Sequence, residues 1–265
     1  MRIFVFGANG MIGRYVNKYL KGSIAVTRQQ VDALIIRMDL FQRQLDQLDI
    51  HEGDVIINAM GITNKRTREG WEFLVVNSLF PRLLADYCEF IGAHMIHIST
   101  DCVYNGETGM YDELCAHDDE SIYGITKSCG EPHNCIVIRT SLIGETPNGS
   151  TDLLEWVRGH KNEKIHGYID HIWNGITCLQ FAKICEQMIN EREFWQGDRH
   201  IYSPRAVTKA ELVTMINEIY GLGNEVVLTN SERAINRTMT SLYEISRFNI
   251  PDIREQIIEQ KNFKL

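Results

Sequence analysis

The sequence has no basic excess. Its 265 residues carry 27 Lys and Arg against 35 Asp and Glu, a formal charge of −8. Nucleic-acid binding leaves a footprint of clustered Lys and Arg; none occurs here, so no nucleic-acid partner is expected. The acidic balance does not exclude a small anionic ligand, because a local pocket can be positive on an acidic protein. Long apolar runs are also missing. None approaches the roughly 20 residues that span a bilayer, so no membrane partner is expected. The opening Met1-Arg2-Ile3-Phe4-Val5-Phe6-Gly7 is too short for a secretory leader and runs into a glycine motif. The expected location is cytoplasmic. The seven cysteines are odd in number and form no CxxC pair. That argues against a disulfide framework and a zinc site and for free reduced thiols. No metal-ligand cluster, internal repeat or low-complexity linker stands out.

What is present is an alternation of short apolar runs and amphipathic stretches. Ile3–Phe6, Ile24–Val26, Val55–Ile57, Met95–Ile98 and Cys135–Ile138 read as strands. Met11–Leu20 has helical period, with Ile12, Val16 and Leu20 on one face. Trp71–Phe90 reads as a long helix with Leu74, Leu79, Leu83 and Leu84 in its apolar positions, and Tyr123 begins another. Continuous apolar strands separated by helices predict an α/β, Rossmann-like, doubly wound parallel sheet. After Ser141 the texture changes. Gly144 to Ser150 is a polar loop, and helices are expected at Leu153–Val157, Cys178–Ile189, Lys209–Tyr220 and Pro251–Leu265. The division expected is a dinucleotide-binding domain over 1–143 plus about 167–195, with a smaller substrate-binding lobe over 144–166 and 196–265.

The segment Gly7-Ala8-Asn9-Gly10-Met11-Ile12-Gly13 lies at the first strand–helix junction. Glycines there permit a tight turn, let backbone approach a pyrophosphate and let the helix pack close to the strand. The helix N-terminus offers free N–H groups and a positive dipole end to phosphates. The spacing is GxxGxxG rather than GxGxxG. The second strand ends Val26-Thr27-Arg28, with no acid until Asp32. An acid at that strand end would read the ribose hydroxyls of NAD, whereas Arg28 suits the 2′-phosphate of NADP. NADPH is therefore favoured over NADH.

Tyr123 and Lys127 form a YxxxK pair, which a helix places on one face. The lysine ammonium is expected to lower the tyrosine pKa and fit it to donate a proton to an oxyanion. Ser99-Thr100-Asp101 stands at a strand end, where parallel sheets bind ligands. The Thr100 hydroxyl could hydrogen-bond a carbonyl oxygen or could cap the next element.

With these motifs the sequence resembles an extended short-chain dehydrogenase/reductase, and most closely the dTDP-4-dehydrorhamnose reductase family. The matching pieces are Gly7 to Gly13, Asn58-Ala59-Met60-Gly61, Asn77, Ser99-Thr100-Asp101, Tyr123 with Lys127, and Arg139-Thr140-Ser141. The resemblance implies a catalytic set of Thr100, Tyr123 and Lys127. It also implies a cofactor lined by Asn9, Gly10, Met11, Ile12, Asp39, Leu40, Ala59, Met60, Gly61 and Thr63, with Asp101 near the sugar. The substrate would be a nucleotide-linked 4-keto-6-deoxy-hexose: a dTDP-linked precursor of rhamnose, or a UDP-linked 2-acetamido-2,6-dideoxy-4-hexulose. A homodimer is compatible with the resemblance.

The sequence also departs from the family. Leu142 replaces a frequent Trp after Arg-Thr-Ser, and the lobe reads Asp170-His171-Ile172-Trp173-Asn174-Gly175. Trp173 is either a sugar-facing aromatic or core. Cys102 stands where sugar-nucleotide dehydratases carry Glu, and a thiol is a poor substitute. Its spacing from Thr100 matches the epimerising cysteine of enzymes that resemble GDP-fucose synthase. Those enzymes also use a His near the start of the following helix, near Ser150-Thr151-Asp152 here, where none occurs; His166 and His171 come later. The other reading of Cys102 is a small apolar packing residue. A non-enzyme reading is an NADP-binding regulatory subunit similar to the beta subunit of methionine adenosyltransferase.

Overall fold

The structure is a computed structural model and describes residues 1–35, 37–63, 69–147 and 152–265. The chain opens with β1 (Ile3–Phe6), α1 (Met11–Tyr19), β2 (Ile24–Val26), α2 (Met38–Asp46) and β3 (Val55–Asn58). A long helical segment follows: α3 (Gly70–Phe73), a π-helical turn over Leu74–Leu79, and α4 (Phe80–Ile91). Next come β4 (His94–Ile98), α5 (Ile122–Cys129), β5 (Ile136–Arg139), β6 (Leu142–Ile143), α6 (Leu153–Gly159), β7 (Lys164–Tyr168), β8 (His171–Trp173) and β9 (Ile176–Thr177). The chain closes with α7 (Cys178–Glu191), β10 (Gly197–His200), β11 (Val207–Thr208), α8 (Lys209–Tyr220), β12 (Glu225–Thr229), β13 (Ile235–Asn236) and α9 (Ile253–Asn262).

Six strands form one parallel sheet in the order β10-β5-β4-β3-β1-β2. Strand residues alternate in direction, which sorts the unbroken apolar runs onto two faces. Phe4, Phe6, Ile56, Met95 and Val137 pack with Phe41 and Leu45 of α2 and with Phe80 and Leu84. Val5, Val55, Ile57, Ile96, Ile98, Ile136 and Ile138 pack on the other side with Val16 of α1 and with Phe181, Ile184 and Met188 of α7. Both faces are covered, as a doubly wound sheet requires. The chain reverses direction across the sheet between β1 and β3, the switch point where ligands bind in such folds.

Three differences from the sequence reading have physical causes. The long helix is not uniform: Leu74 and Leu79 are exposed, and Val75 to Ser78 are buried in succession. The wide π turn shifts the phase of the apolar face, so a single helical period misassigns these leucines. Helix α2 was not anticipated. The drawn boundaries also move: Gly197–His200 is β10, at the edge of the main sheet, not in the lobe. Gly167 and Tyr168 belong to β7, which pairs with β12, and β8 pairs with β11 and β13 in the lobe. The lobe core is Leu154, Val157, Ile165, Val207, Leu212, Ile216, Ile253 and Ile257.

Candidate active site

The glycine turn is built as its chemistry requires. Gly7 has φ +75°, and a Cβ there would stand 2.9 Å from Ala59 O, so only glycine lets β1 and β3 close at the switch point. A Cβ on Gly13 would lie 2.2 Å from Gly7 O, inside backbone. Gly10 caps α1 without a side chain, and the first turn carries no acid. The helix N-terminus is thus left open for an anion.

Two adjoining grooves run from this turn. One, of about 570 Å³, is lined by Gly7, Asn9, Gly10, Thr27, Arg28, Asp32, Ala33, Leu34, Ala59, Met60, Gly61, Ile62, Glu72 and Val76. The other, of about 300 Å³, runs from Gly10, Met11 and Ile12 past Ala59 to Thr63 and reaches Thr100, Asp101, Cys102, Tyr123 and Lys127. The strip after β3 therefore borders both. It is held from two sides. Asn58 Oδ1 accepts from Met60 N–H at 3.1 Å. Asn77, carried on the π turn, accepts from Ile62 N–H at 2.9 Å and donates to Ile62 O at 3.0 Å.

Asp39 and Leu40, implied by resemblance to line the cofactor, border neither groove. They start α2, and Asp39 pairs with Arg37 at 2.8 Å. Ala33 and Leu34 occupy that side of the groove instead. Arg28 borders the groove and faces Asp32 at 3.4 Å.

Thr100, Tyr123 and Lys127 meet in one groove because β4 ends beside the N-terminal half of α5. Thr100 takes the capping role. Its hydroxyl accepts from Cys102 N–H at 3.1 Å, capping the turn Asp101–Val103, and borders the groove. Lys127 is buried and donates to Ile98 O at 2.7 Å. Burial lowers its pKa to about 8, while Glu131 pulls upward. The expected lowering of the Tyr123 phenol does not occur. Burial raises its pKa, Cys102 and Asp101 add to that, and a hydrogen bond with Thr100 works the other way. The desolvation of a phenolate outweighs any help from the lysine, and the phenol keeps its proton.

Burial likewise raises the Asp101 carboxyl and pushes the Cys102 thiol up to about 12, with Asp101 next in effect on the thiol. Arg237, which sequence reasoning missed, ties the lobe to this loop. It donates to Tyr104 O at 2.8 Å and to Asp119 at 2.9 Å, and lies 3.4 Å from Cys102 Sγ. No local pattern marks Arg237; its partners lie far off in sequence. Asp101, Cys102, Ser141, His171, Trp173, Lys209 and Arg237 border a third groove, of about 260 Å³, between sheet and lobe. Trp173 packs on the lobe core and also borders this groove. His166 is exposed and bonds Thr229. Ser150 and Thr151 lie outside the described residues; Asp152 precedes the first residue of α6 and borders the second groove.

A buried ionic strut underlies the site. Ser99 donates to Glu131, which binds Arg139 in a fork at 2.9 and 2.7 Å. Arg139 pairs with Asp198 at 2.9 Å and donates to Tyr104 Oη at 3.2 Å, and Tyr104 meets His200 at 3.1 Å. Among the described residues no cluster of His, Cys, Asp and Glu could hold a metal, and no helix is long and apolar enough to cross a membrane.

Sheet order, switch point and glycine turn define an α/β protein of the Rossmann type with a lobe over the carboxyl ends of the strands. A family model described as the RmlD substrate binding domain matches residues 1–229, and the chain belongs to that family. Among its relatives is a probable low-salt glycan biosynthesis reductase of Haloferax volcanii, 25% identical over 93% of this chain and 90% of that one. A dTDP-4-dehydrorhamnose reductase of Mycolicibacterium smegmatis is 34% identical over 56% of this chain; the match spans about half of that protein (48%). Among solved structures, the dTDP-4-dehydrorhamnose reductase of Bacillus anthracis in complex with NADP superposes with a TM-score of 0.81 at 20% identity, over 98% of each chain.

Proposed function

We propose that this chain catalyses NADPH-dependent reduction of the 4-keto group of a nucleotide-linked 4-keto-6-deoxy-hexose in deoxysugar biosynthesis. One observation carries the reading: a single groove joins the open N-terminus of α1 to Thr100, Tyr123 and Lys127. The glycine cradle, which a Cβ at Gly7 or Gly13 would fill, fits a dinucleotide pyrophosphate. Gly10 to Ile12 would hold the phosphates, Ala59 to Thr63 would border the cofactor, and Arg28 would read a 2′-phosphate. When bound, a reduced nicotinamide supplies hydride. Tyr123 would hold the proton for the sugar oxygen and release it as negative charge develops there. Thr100 orients that oxygen, and Lys127 keeps a positive charge beside the site. Arg237 and Lys209 border the third groove and would be the groups to meet a sugar diphosphate.

The combined epimerase reading requires Cys102 to lose a proton. A thiol pushed up to about 12 beside Asp101 is a poor base, so the simple reductase is favoured, although His171 borders the same groove. The deciding assay follows loss of NADPH absorbance with dTDP- and UDP-linked 4-keto-6-deoxy sugars made in situ, with and without a separate 3,5-epimerase. Turnover only with the epimerase is the expected result and names the nucleotide. Turnover without it would make Cys102 an epimerising base. NADPH binding with no sugar consumed would replace the enzyme reading by the regulatory-subunit one. Light scattering tests the homodimer that the resemblance allows.

A further inference from the structure

His97 lies in the middle of the sheet on β4, 1% exposed, opposite Asn58 of β3. A titratable ring is a costly occupant there. Its Nε2 reaches no protein partner among the described residues, and an apolar side chain would avoid that orphan. The hydrogen bonds around it determine its state. Met60 N–H requires an acceptor, and the atom 3.1 Å away is Asn58 Oδ1. The other end of the same amide is therefore the donor Nδ2, and it faces His97 Nδ1 at 3.1 Å. A donor must meet an acceptor, so Nδ1 carries no proton and the single ring proton sits on Nε2. The reverse assignment turns Asn58 Nδ2 against Met60 N–H, donor against donor. Burial, with Lys127 adding, holds the ring neutral.

We infer that His97, as the neutral Nε2–H tautomer, is a positioning residue for the cofactor. It fixes the Asn58 amide, which fixes the Met60 backbone, and the strip Ala59 to Ile62 borders both grooves. The inference rests on the proposed dinucleotide reading for its ligand, but the chain of hydrogen bonds stands without it. Asparagine at position 97 puts Oδ1 where Nδ1 was, so His97→Asn keeps the acceptor. His97→Leu keeps bulk and removes it.

The test uses the full chain in three measurements. First, ¹⁵N NMR of histidine-labelled protein, assigned by the signal missing from His97→Asn, is expected to show Nδ1 bare and Nε2 protonated. A proton on Nδ1 overturns the inference. Second, the Met60 amide is expected to be protected from hydrogen exchange in the wild type and in His97→Asn but not in His97→Leu; equal protection in all three overturns it. Third, His97→Leu is expected to weaken NADPH binding about tenfold, the scale of one buried hydrogen bond. Its kcat at saturating NADPH should stay within about twofold, with His97→Asn restoring affinity. An affinity loss shared by both variants, or by neither, overturns the positioning role. Failure of the wild type to bind NADPH would instead sink the proposed reductase, while the tautomer and exchange results still decide His97.

Discussion

Replacing Lys127 by Met should stabilise the protein at neutral pH while removing its activity. The ordinary lysine value of 10.5 falls to about 8 in the fold because the ammonium is buried. That drop corresponds to roughly 3 kcal/mol of penalty on the charged form. A folded-state pKa below the unfolded one means that the unfolded chain binds the extra proton between pH 8 and 10.5. The penalty is thus complete below pH 8 and is relieved as pH rises toward 10.5. Met has no such penalty, but it abandons the hydrogen bond to Ile98 O, a loss of about 1–2 kcal/mol. The variant should therefore be more stable than the wild type by about 1–2 kcal/mol near neutrality and less stable by about the same amount in strong alkali. Urea unfolding of both proteins at neutral and alkaline pH measures this, and most other titrations cancel in the difference. A stability difference that does not move with pH would refute the argument.

Three further outcomes follow from the site. Tyr123→Phe should lower kcat by about 10²–10⁴ with the NADPH Kd unchanged, measured by steady-state turnover and fluorescence titration; near-normal turnover would end the proton-donor role. Arg28→Ala should raise the KM for NADPH about 10- to 100-fold and leave that for NADH within about twofold; equal changes would remove Arg28 from cofactor choice. Gly13→Ala places a Cβ 2.2 Å from Gly7 O and 2.7 Å from Gly7 C, both backbone, so α1 must shift away from β1. The expected loss is about 1–3 kcal/mol of stability together with weaker cofactor binding, read by thermal unfolding and titration.

Much of the sheet was legible because its strands are buried on both faces, so Phe4 to Phe6 and Val55 to Ile57 read as unbroken apolar runs. The grouping of Thr100, Tyr123 and Lys127 in one groove was legible for a different reason: Tyr123 and Lys127 are one helical turn apart, and Thr100 ends a strand. Strand β10 escaped notice because Gly197-Asp198-Arg199-His200 is polar; it closes one edge, and its Asp198 serves the Arg139 strut. The lobe strands are two to five residues long and pair at long range, as β7 does with β12 across about 60 residues, so no local pattern announces them. Arg237 and Ala33-Leu34 border the grooves by tertiary placement alone. Asp39 looked right by resemblance, but here it begins a helix and turns to Arg37.

The widened turn at Leu74–Leu79 makes the helix before it and the helix after it two wheels set at different angles on one axle. Each residue of an α-helix advances about 100°, and a π turn amounts to one extra residue. Removing a single residue there would leave a regular helix with every upstream side chain rotated by that angle relative to α4. Asn77, which grips Ile62 by both backbone atoms, would lose its aim while the helix itself grew more regular. The irregularity is thus an angular setting, and length is the coordinate through which mutation can change it: a point substitution leaves the angle alone, whereas a one-residue deletion resets it.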